Sequence, residues 1–335
     1  MTSFICCSKN SVFYSPNQTK LIEIDFSGQK ISEVDYDSPI CAIDVDPINQ
    51  YLAVGIKKEG SSGKENLFIY KLNDDGTKSE LFPFILPHEA IQLKFVEYKS
   101  KYSLIALNTG DLDCIDIENK KSQCLLGSIA TGTAFDLSEK FIINADRDAR
   151  IRISNYPNTY DIHAFAFLHE EFVSSVLFLN NEIFLSSDGD GNLVKWDING
   201  QIIISKQIYP SNTIIRKIVF YNGKIGIIAE GDNSITMLNE ETFEIEEKIS
   251  LKSQPISLTV HENAIWGITL TEVFKFENGE VTEITSELFG EGLKLEDFTL
   301  ENQRVKSKKI LKNSDKGSEE YKRWRNPEKL SLSSK

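Results

Sequence analysis

Residues 185–197 read LSSDGDGNLVKWD, two short runs of apolar and hydroxyl-bearing residues around a segment of Asp and Gly. This pattern is typical of two antiparallel strands joined by a tight turn, because Gly and Asp adopt the backbone conformations that such a turn requires. Further strand-like runs flank the hairpin at Phe172–Leu179 and Gln201–Ile208. Together they predict a unit of four short strands.

Strands similar to Leu193–Ile198 recur along the chain at intervals of 38 to 46 residues, with a mean of 42. Propeller blades, each a four-stranded sheet, repeat every 40–45 residues or so. Seven units fill residues 4 to about 286, so the sequence predicts an all-β fold, a seven-bladed β-propeller within residues 1–300. The seven copies begin at Leu21, Leu67, Leu112, Ile151, Leu193, Ile235 and Val273.

A propeller must join its first blade to its last, because a closed ring removes most free sheet edges. The N-terminal run Phe4–Cys7 is one candidate for the joining strand, through pairing with the last blade, which ends near Ser286. The sequence alone does not decide this detail.

Charge is distributed unevenly along the chain. Residues 302–335 hold eleven Lys and Arg against four Asp and Glu, a net charge of +7. The whole chain of 335 residues carries −13, so the first 301 residues carry −20. An acidic body repels nucleic acid, whereas a basic tail attracts it. We therefore expect residues 301–335 to form a basic tail, partly disordered or containing a short helix.

The composition excludes several classes of protein. No apolar run approaches the roughly 18 residues that span a bilayer, and the N-terminus has no secretory signal. Only four histidines are present, and none lies within five residues of another, which argues against a metal site. We expect a soluble, intracellular chain that binds no metal.

The fifth unit matches the pattern of a WD repeat. A His precedes its first strand, Ser residues lie on the second, Asp-Gly forms the turn, and Trp-Asp ends the third. Buried polar groups need mutual hydrogen bonds, so we expect Asp190 to accept from His169 and one of the two Ser hydroxyls to join His169 to the Trp indole. A hydrolase triad is not indicated, because the nucleophile motif Gly-x-Ser-x-Gly is missing. The predicted network comprises His169, Ser186, Ser187, Asp190 and Trp196.

The fourth unit carries an unusual cluster of charge, NADRDARIRISNYP at 144–157. Arg150, Arg152 and Ser154 share one face of the strand by its two-residue period. One interpretation is an internal ion network, in which Asp148 orders the turn and Arg152 pairs with Asp146. The other is a docking site for the carboxylates of a partner, which suits the planar guanidinium group.

The same segment resembles one particular family. Residues 145–157, followed by Ile162–Phe165 and His169–Ser174, are similar to the WD-repeat, non-catalytic subunit of the eukaryotic tRNA guanine-N7 methyltransferase. The strong match covers residues 141–197, and Leu168 stands where the family usually has Gly.

The resemblance implies a partner rather than a reaction. Members form a heterodimer with a Rossmann-type catalytic subunit that binds S-adenosylmethionine and makes 7-methylguanosine in the tRNA variable loop, and they help to hold the tRNA. The resemblance also implies a location in the nucleus, with the cytoplasm as a second option. Partner contacts are expected at Asp146, Arg147, Asp148, Arg150 and Arg152. Contacts with tRNA are expected at Lys306, Lys308, Lys309, Lys312, Lys322, Arg323 and Arg325.

Two other functions compete with this interpretation. A generic WD-repeat scaffold or a ubiquitin-ligase substrate adaptor would have the same fold, since propellers serve many functions. A propeller enzyme would need several carboxylates that converge on the central channel. The chain has no Gly-x-Gly-x-x-Gly motif after a strand, so we expect no cofactor on this chain and no catalytic activity of its own.

Overall fold

The computed structural model describes residues 4–16, 19–46, 51–57, 65–73, 78–99, 101–108, 111–127 and 130–285. These residues form seven four-stranded antiparallel sheets, here called blades 1 to 7. Each blade is built from four strands that are consecutive in the chain, with neighbouring strands paired in order. The predicted seven-bladed β-propeller is therefore confirmed.

The strands of the first three blades precede the motif-bearing segment. Blade 1 contains β1 (Ile5–Cys7), β2 (Ser11–Tyr14), β3 (Lys20–Asp25) and β4 (Lys30–Asp35). Blade 2 contains β5 (Ile40–Val45), β6 (Tyr51–Ile56), β7 (Leu67–Leu72) and β8 (Lys78–Phe84). Blade 3 contains β9 (Gln92–Tyr98), β10 (Lys101–Leu107), β11 (Asp111–Asp116) and β12 (Lys121–Gly127).

The remaining four blades follow without a break. Blade 4 contains β13 (Gly132–Leu137), β14 (Phe141–Asp146), β15 (Arg150–Asn155) and β16 (Ile162–Phe167). Blade 5 contains β17 (Val173–Phe178), β18 (Ile183–Asp188), β19 (Asn192–Asp197) and β20 (Ile202–Gln207). Blade 6 contains β21 (Ile215–Tyr221), β22 (Lys224–Ala229), β23 (Ser234–Asn239) and β24 (Ile245–Ser250). Blade 7 contains β25 (Pro255–His261), β26 (Ala264–Thr269), β27 (Val273–Glu277) and β28 (Glu280–Thr285).

The recurring strand of the sequence is the third strand of every blade. In blade 5 it is β19, which pairs with β18 so that Trp196 lies opposite Phe184. Both side chains are fully buried, and their rings stack at 6.1 Å in the layer between blades 4 and 5. The hydrophobic core is thus divided into layers between adjacent blades, while the fourth strands, such as β16 and β20, lie largely exposed.

Within the described ranges, no strand is exchanged between the two ends of the ring. β1 pairs with β2 inside blade 1, not with the last blade, because blade 7 completes its sheet with its own fourth strand β28. The closure that the described residues show combines side-chain packing between blades 1 and 7 with a hydrogen bond from a backbone amide to a side chain. The Phe26 ring stacks on His261 at 5.5 Å, and the Phe4 amide donates to the Ser257 hydroxyl at 3.4 Å.

Several predictions concern the end of the chain. The basic tail 301–335, its seven expected tRNA contacts and the proposed boundary at residue 300 all lie outside the described residues. Within the described part of the chain, no group of three or more His, Cys, Asp and Glu is placed to hold a metal ion. No helix in that part is long and apolar enough to cross a membrane.

Candidate functional site

The turn between β14 and β15 is ordered by Asp146. Its Oδ1 accepts hydrogen bonds from the amides of Asp148 at 2.9 Å and Arg150 at 3.1 Å. Ala149 in this turn has a φ of 64°, the left-handed conformation that usually favours glycine. The prediction that Asp148 orders the turn was wrong, because only the carboxylate at the first position of the turn reaches the amides two and four residues on.

Arg150 completes an ion pair within the same turn. Its Nε and Nη2 both lie 2.9 Å from Oδ2 of Asp146, and Nη2 lies 3.6 Å from Asp148. Burial raises the pKa of Asp146, and the charge of Arg150 opposes that shift. The internal ion network therefore exists, but it joins Arg150 rather than Arg152 to Asp146.

Arg152 is held without a carboxylate. Its Nε donates to the Ser154 hydroxyl at 3.0 Å and its Nη2 to the Thr159 carbonyl at 3.0 Å. Among the described residues no carboxylate lies within 4 Å of the guanidinium group. Burial lowers the pKa of Arg152, as expected for a cation without a close counter-charge. The predicted pairing with Asp146 was therefore wrong, and Arg152 is positioned by neutral groups.

Arg147 is anchored through its backbone. Its amide donates to the Thr131 carbonyl at 2.9 Å, and within the described part of the chain its side-chain Nε is buried without a hydrogen-bond partner. Five charged residues thus lie at one corner of blade 4. Asp146 and Arg150 form a strong ion pair. The side chains of Arg147, Asp148 and Arg152 keep hydrogen-bonding capacity.

Exposed aromatic side chains lie beside these arginines, and the sequence analysis missed them. In the pairing of β15 with β16, Arg150 lies opposite Phe167 and Arg152 opposite Phe165, so all four share one face. The two rings are 5.6 Å apart, and Phe165 and Phe167 are 40% and 38% exposed. We call Arg150, Arg152, Phe165, Phe167 and the exposed Leu168 the blade-4 surface. Large apolar residues on the exposed strand of a blade were the signal that could have revealed it.

Blade 5 contains the buried polar network predicted from the WD pattern. The Trp196 indole donates to the Ser186 hydroxyl at 2.7 Å, and Ser186 lies 2.7 Å from His169 Nε2. Nδ1 of His169 lies 2.8 Å from Oδ2 of Asp188. Burial acts to raise the pKa of Asp188, but the hydrogen bond and charge of His169 outweigh it and lower that pKa.

Two members of the predicted network lie elsewhere. Asp190 does not contact His169, and its Oδ1 accepts the Asn212 amide at 2.6 Å. The Ser187 hydroxyl is 3.0 Å from that of Ser174 and takes no part in the chain to Trp196. Ser186 and Asp188 share one face of β18 by the two-residue period, and this signal in the sequence could have identified Asp188.

A comparison with known protein families matches the part of the chain that contains both sites. The family model for the tRNA methyltransferase TRM82 WD40 domain matches residues 119–312, more than half of the sequence. The chain belongs to this family. The family predicted from the charged motif is thereby confirmed.

Individual relatives of the TRM82 WD40 family carry one name. The chain is 29% identical over 192 residues to the "tRNA (guanine-N(7)-)-methyltransferase non-catalytic subunit wuho" of Culex quinquefasciatus, covering 55% of this chain and 46% of that protein. The protein of the same name from Drosophila melanogaster is 31% identical over 169 residues, covering 48% of this chain and 38% of that protein. The chain thus spans less than half the length of these relatives.

A solved structure shares the fold alone. The computationally designed Ika8 protein superposes with a TM-score of 0.57 over 83% of this chain and 94% of its own, at 17% identity. In contrast, the family match includes all of blades 4, 5, 6 and 7. Both the blade-4 surface and the buried network of blade 5 therefore lie inside the segment that defines membership of the TRM82 WD40 family.

Proposed function

We propose that this chain is the non-catalytic subunit of a tRNA guanine-N7 methyltransferase complex. It binds and stabilises a catalytic subunit that carries S-adenosylmethionine, forms a heterodimer with it and helps to hold tRNA. The relatives' printed names support the non-catalytic role. The observation that carries the proposal is the blade-4 surface, where Arg152, which has no carboxylate partner among the residues that the structure describes, lies beside two exposed phenylalanines.

The chemistry of this surface suits a protein partner. Aromatic residues and arginine are enriched at the centres of protein interfaces, where they contribute most of the binding free energy. Phe165 and Phe167 expose apolar surface whose burial by a partner is favourable. Arg152 is already held in one orientation by Ser154 and Thr159. A carboxylate of the catalytic subunit would give this arginine its counter-charge. The two phenylalanine rings, once covered by the partner, would shield that contact from solvent.

The rest of the proposal follows the family. The complex would act in the nucleus, with the cytoplasm as a second option, and the cofactor would stay on the catalytic subunit. The tail residues between Lys306 and Arg325 would contact tRNA phosphates. Blade 4 would then provide assembly, while basic segments of the chain would provide RNA contacts.

The test measures heterodimer affinity by isothermal titration calorimetry with the purified catalytic subunit. Arg152→Leu should weaken assembly by roughly 2–5 kcal/mol, because it leaves a partner carboxylate without its counter-charge. Phe165→Ala should weaken it by about 2 kcal/mol if the ring is a central anchor. Ile202→Ala is the matched control, since Ile202 is a 47% exposed apolar residue on the outer strand of blade 5.

The phenylalanine variant keeps the test decisive if Arg152→Leu also loosens blade 4. Phe165 is half-exposed, so its truncation should leave the melting temperature close to that of the unaltered chain. Heterodimer affinity that is equal in Phe165→Ala, Ile202→Ala and the unaltered chain would rule out docking at the blade-4 surface.

A further inference from the structure

A crevice opens on the face of blade 3 that looks toward blade 4, at the end of the sheet that carries the β9–β10 and β11–β12 hairpins. Its volume is about 330 Å³. Its walls carry ammonium, carboxylate, hydroxyl and amide groups beside the Tyr98 ring and the Cys114 thiol. The polar lining comprises Lys99, Lys101, Lys121, Ser103, Asp116, Ser122 and Gln123.

Strand pairing places these groups on one face. Ser103 lies opposite Asp116, and Asp116 lies opposite Lys121, so the three form a row across β10, β11 and β12. This face looks toward blade 4, since the Tyr98 ring lies 5.8 Å from that of Tyr156 and the Tyr156 hydroxyl donates to the Glu97 carbonyl at 2.6 Å. The row is therefore a wall of the seam between the two blades.

The crevice holds an excess of positive charge. Lys101 lies 3.2 Å from Asp116, whose pKa is lowered to about 2 by hydrogen bonds from Asn119, so that pair is neutral. Lys99 and Lys121 have no carboxylate within 4 Å among the described residues. Two uncompensated ammonium groups thus share one opening, although residues 1–301 carry a net −20.

Aromatic side chains accompany the lysines. Nζ of Lys99 lies 5.0 Å from the centre of the Tyr98 ring. Tyr160, at 78% exposure, is the most exposed large hydrophobic residue among the described residues. The pKa of Lys99 is raised mainly by Tyr98, and Tyr160 is close enough to add a smaller contribution. Lysines that contact phosphates beside rings that stack on bases are the usual composition of a single-strand or loop RNA site.

The crevice also adjoins the blade-4 surface. Thr159, whose carbonyl accepts from Arg152, donates its own hydroxyl to the Leu125 carbonyl of β12. Lys121 begins the same strand, four residues before Leu125, a distance of about 13 Å along an extended chain. A catalytic subunit docked on blade 4 would therefore hold its RNA substrate next to this opening.

We propose that this crevice on blade 3 binds backbone phosphates of the tRNA, with Lys99 and Lys121 as the phosphate contacts. This inference rests on the proposed function, because the docked catalytic subunit supplies the RNA. It also places an RNA contact on the acidic body of the chain, where net charge alone predicts none.

The test uses the assembled heterodimer with the full chain and tRNA. Each phosphate contact contributes about 0.7–0.9 to the slope of log affinity against log salt. Lys99→Gln combined with Lys121→Gln should therefore flatten the slope by roughly 1.4–1.8, so that the loss of affinity is roughly 7–12 times greater at 50 mM than at 200 mM salt. Lys206→Gln with Lys248→Gln is the control, since it removes the same charge from blades 5 and 6.

The outcomes separate this inference from the proposed function. Equal slopes in the crevice and control variants would overturn the inference. So would a weaker heterodimer with unchanged tRNA affinity once assembled, because the lysines would then contact an acidic surface of the partner. If the unaltered chain forms no heterodimer, the proposed function fails. The crevice is then tested by itself, by measuring how far bound tRNA protects each lysine of the full chain from chemical acetylation. Protection of Lys99 and Lys121 but not Lys206 supports it, and equal protection of all three overturns it.

Discussion

Ser186→Ala removes the hydroxyl at the centre of the buried network in blade 5. That single oxygen accepts from the Trp196 indole and bonds His169 Nε2, each at 2.7 Å. All three side chains are buried, so no solvent replaces the lost bonds. A buried polar group left unsatisfied costs about 1–3 kcal/mol, and two groups are affected here. We expect a loss of roughly 2–5 kcal/mol in the free energy of unfolding.

Ser187→Ala is the matched control for this prediction. Ser187 is the next residue on the same strand and is equally buried, but its hydroxyl bonds only the hydroxyl of Ser174. Ser174 keeps its hydrogen bond to the Ile215 carbonyl at 2.6 Å when Ser187 is truncated. The control should therefore cost about 1 kcal/mol.

The measurement is thermal unfolding followed by circular dichroism at pH 7. At roughly 2 °C for each kcal/mol in a chain of this size, Ser186→Ala should melt roughly 4–10 °C lower and Ser187→Ala about 2 °C lower. Equal melting temperatures for the two variants would refute the argument, since they differ only in the number of buried bonds they break.

Three further predictions concern two other positions in the propeller and the basic tail. Burial raises the pKa of Asp44 to about 7, so the folded chain keeps a proton that the unfolded chain releases, and stability should fall as pH rises from 4 to 7. Asp44→Asn should therefore stabilise the chain more at pH 8 than at pH 5 in urea titrations. A Cβ on Gly191, at φ 81°, would lie 2.5 Å from the Tyr209 carbonyl oxygen, so Gly191→Ala should lower the melting temperature, whereas Ala149→Gly at the equivalent turn should not. Deletion of residues 304–335 should leave the heterodimer intact and reduce the salt dependence of tRNA binding, as filter-binding assays at several salt concentrations would measure.

The architecture was predictable because it depends on a repeated local pattern. An interval near 42 residues and apolar runs that end in Asn, Asp or Gly recur in every blade, and each run formed the third strand of its sheet. A layer of core between neighbouring blades forms when each strand buries its apolar residues. Alternate residues of a strand lie on opposite faces of the sheet, so the sequence pattern shows which residues these are.

Side-chain partners were less predictable because the turns of blades 4 and 5 each offer two aspartates. Asp146 and Asp148 in blade 4, like Asp188 and Asp190 in blade 5, stand two residues apart, and their order in the turn decides which one reaches the amides. The crevice lysines were hidden for another reason. Lys99 follows β9 and Lys121 begins β12, so they belong to different hairpins. They lie on one face of blade 3 only because β9, β10, β11 and β12 pair in that order.

The closure of the ring without a shared strand among the described residues has a consequence for synthesis and for damage. Since all seven sheets are made of consecutive strands, each sheet can complete its hydrogen bonds as soon as its own segment of about 42 residues leaves the ribosome. Contacts such as Phe26 on His261 form only after the last blade exists. A protease cut in the loop at 168–172 would likewise leave every sheet whole, whereas a cut inside a blade would divide one.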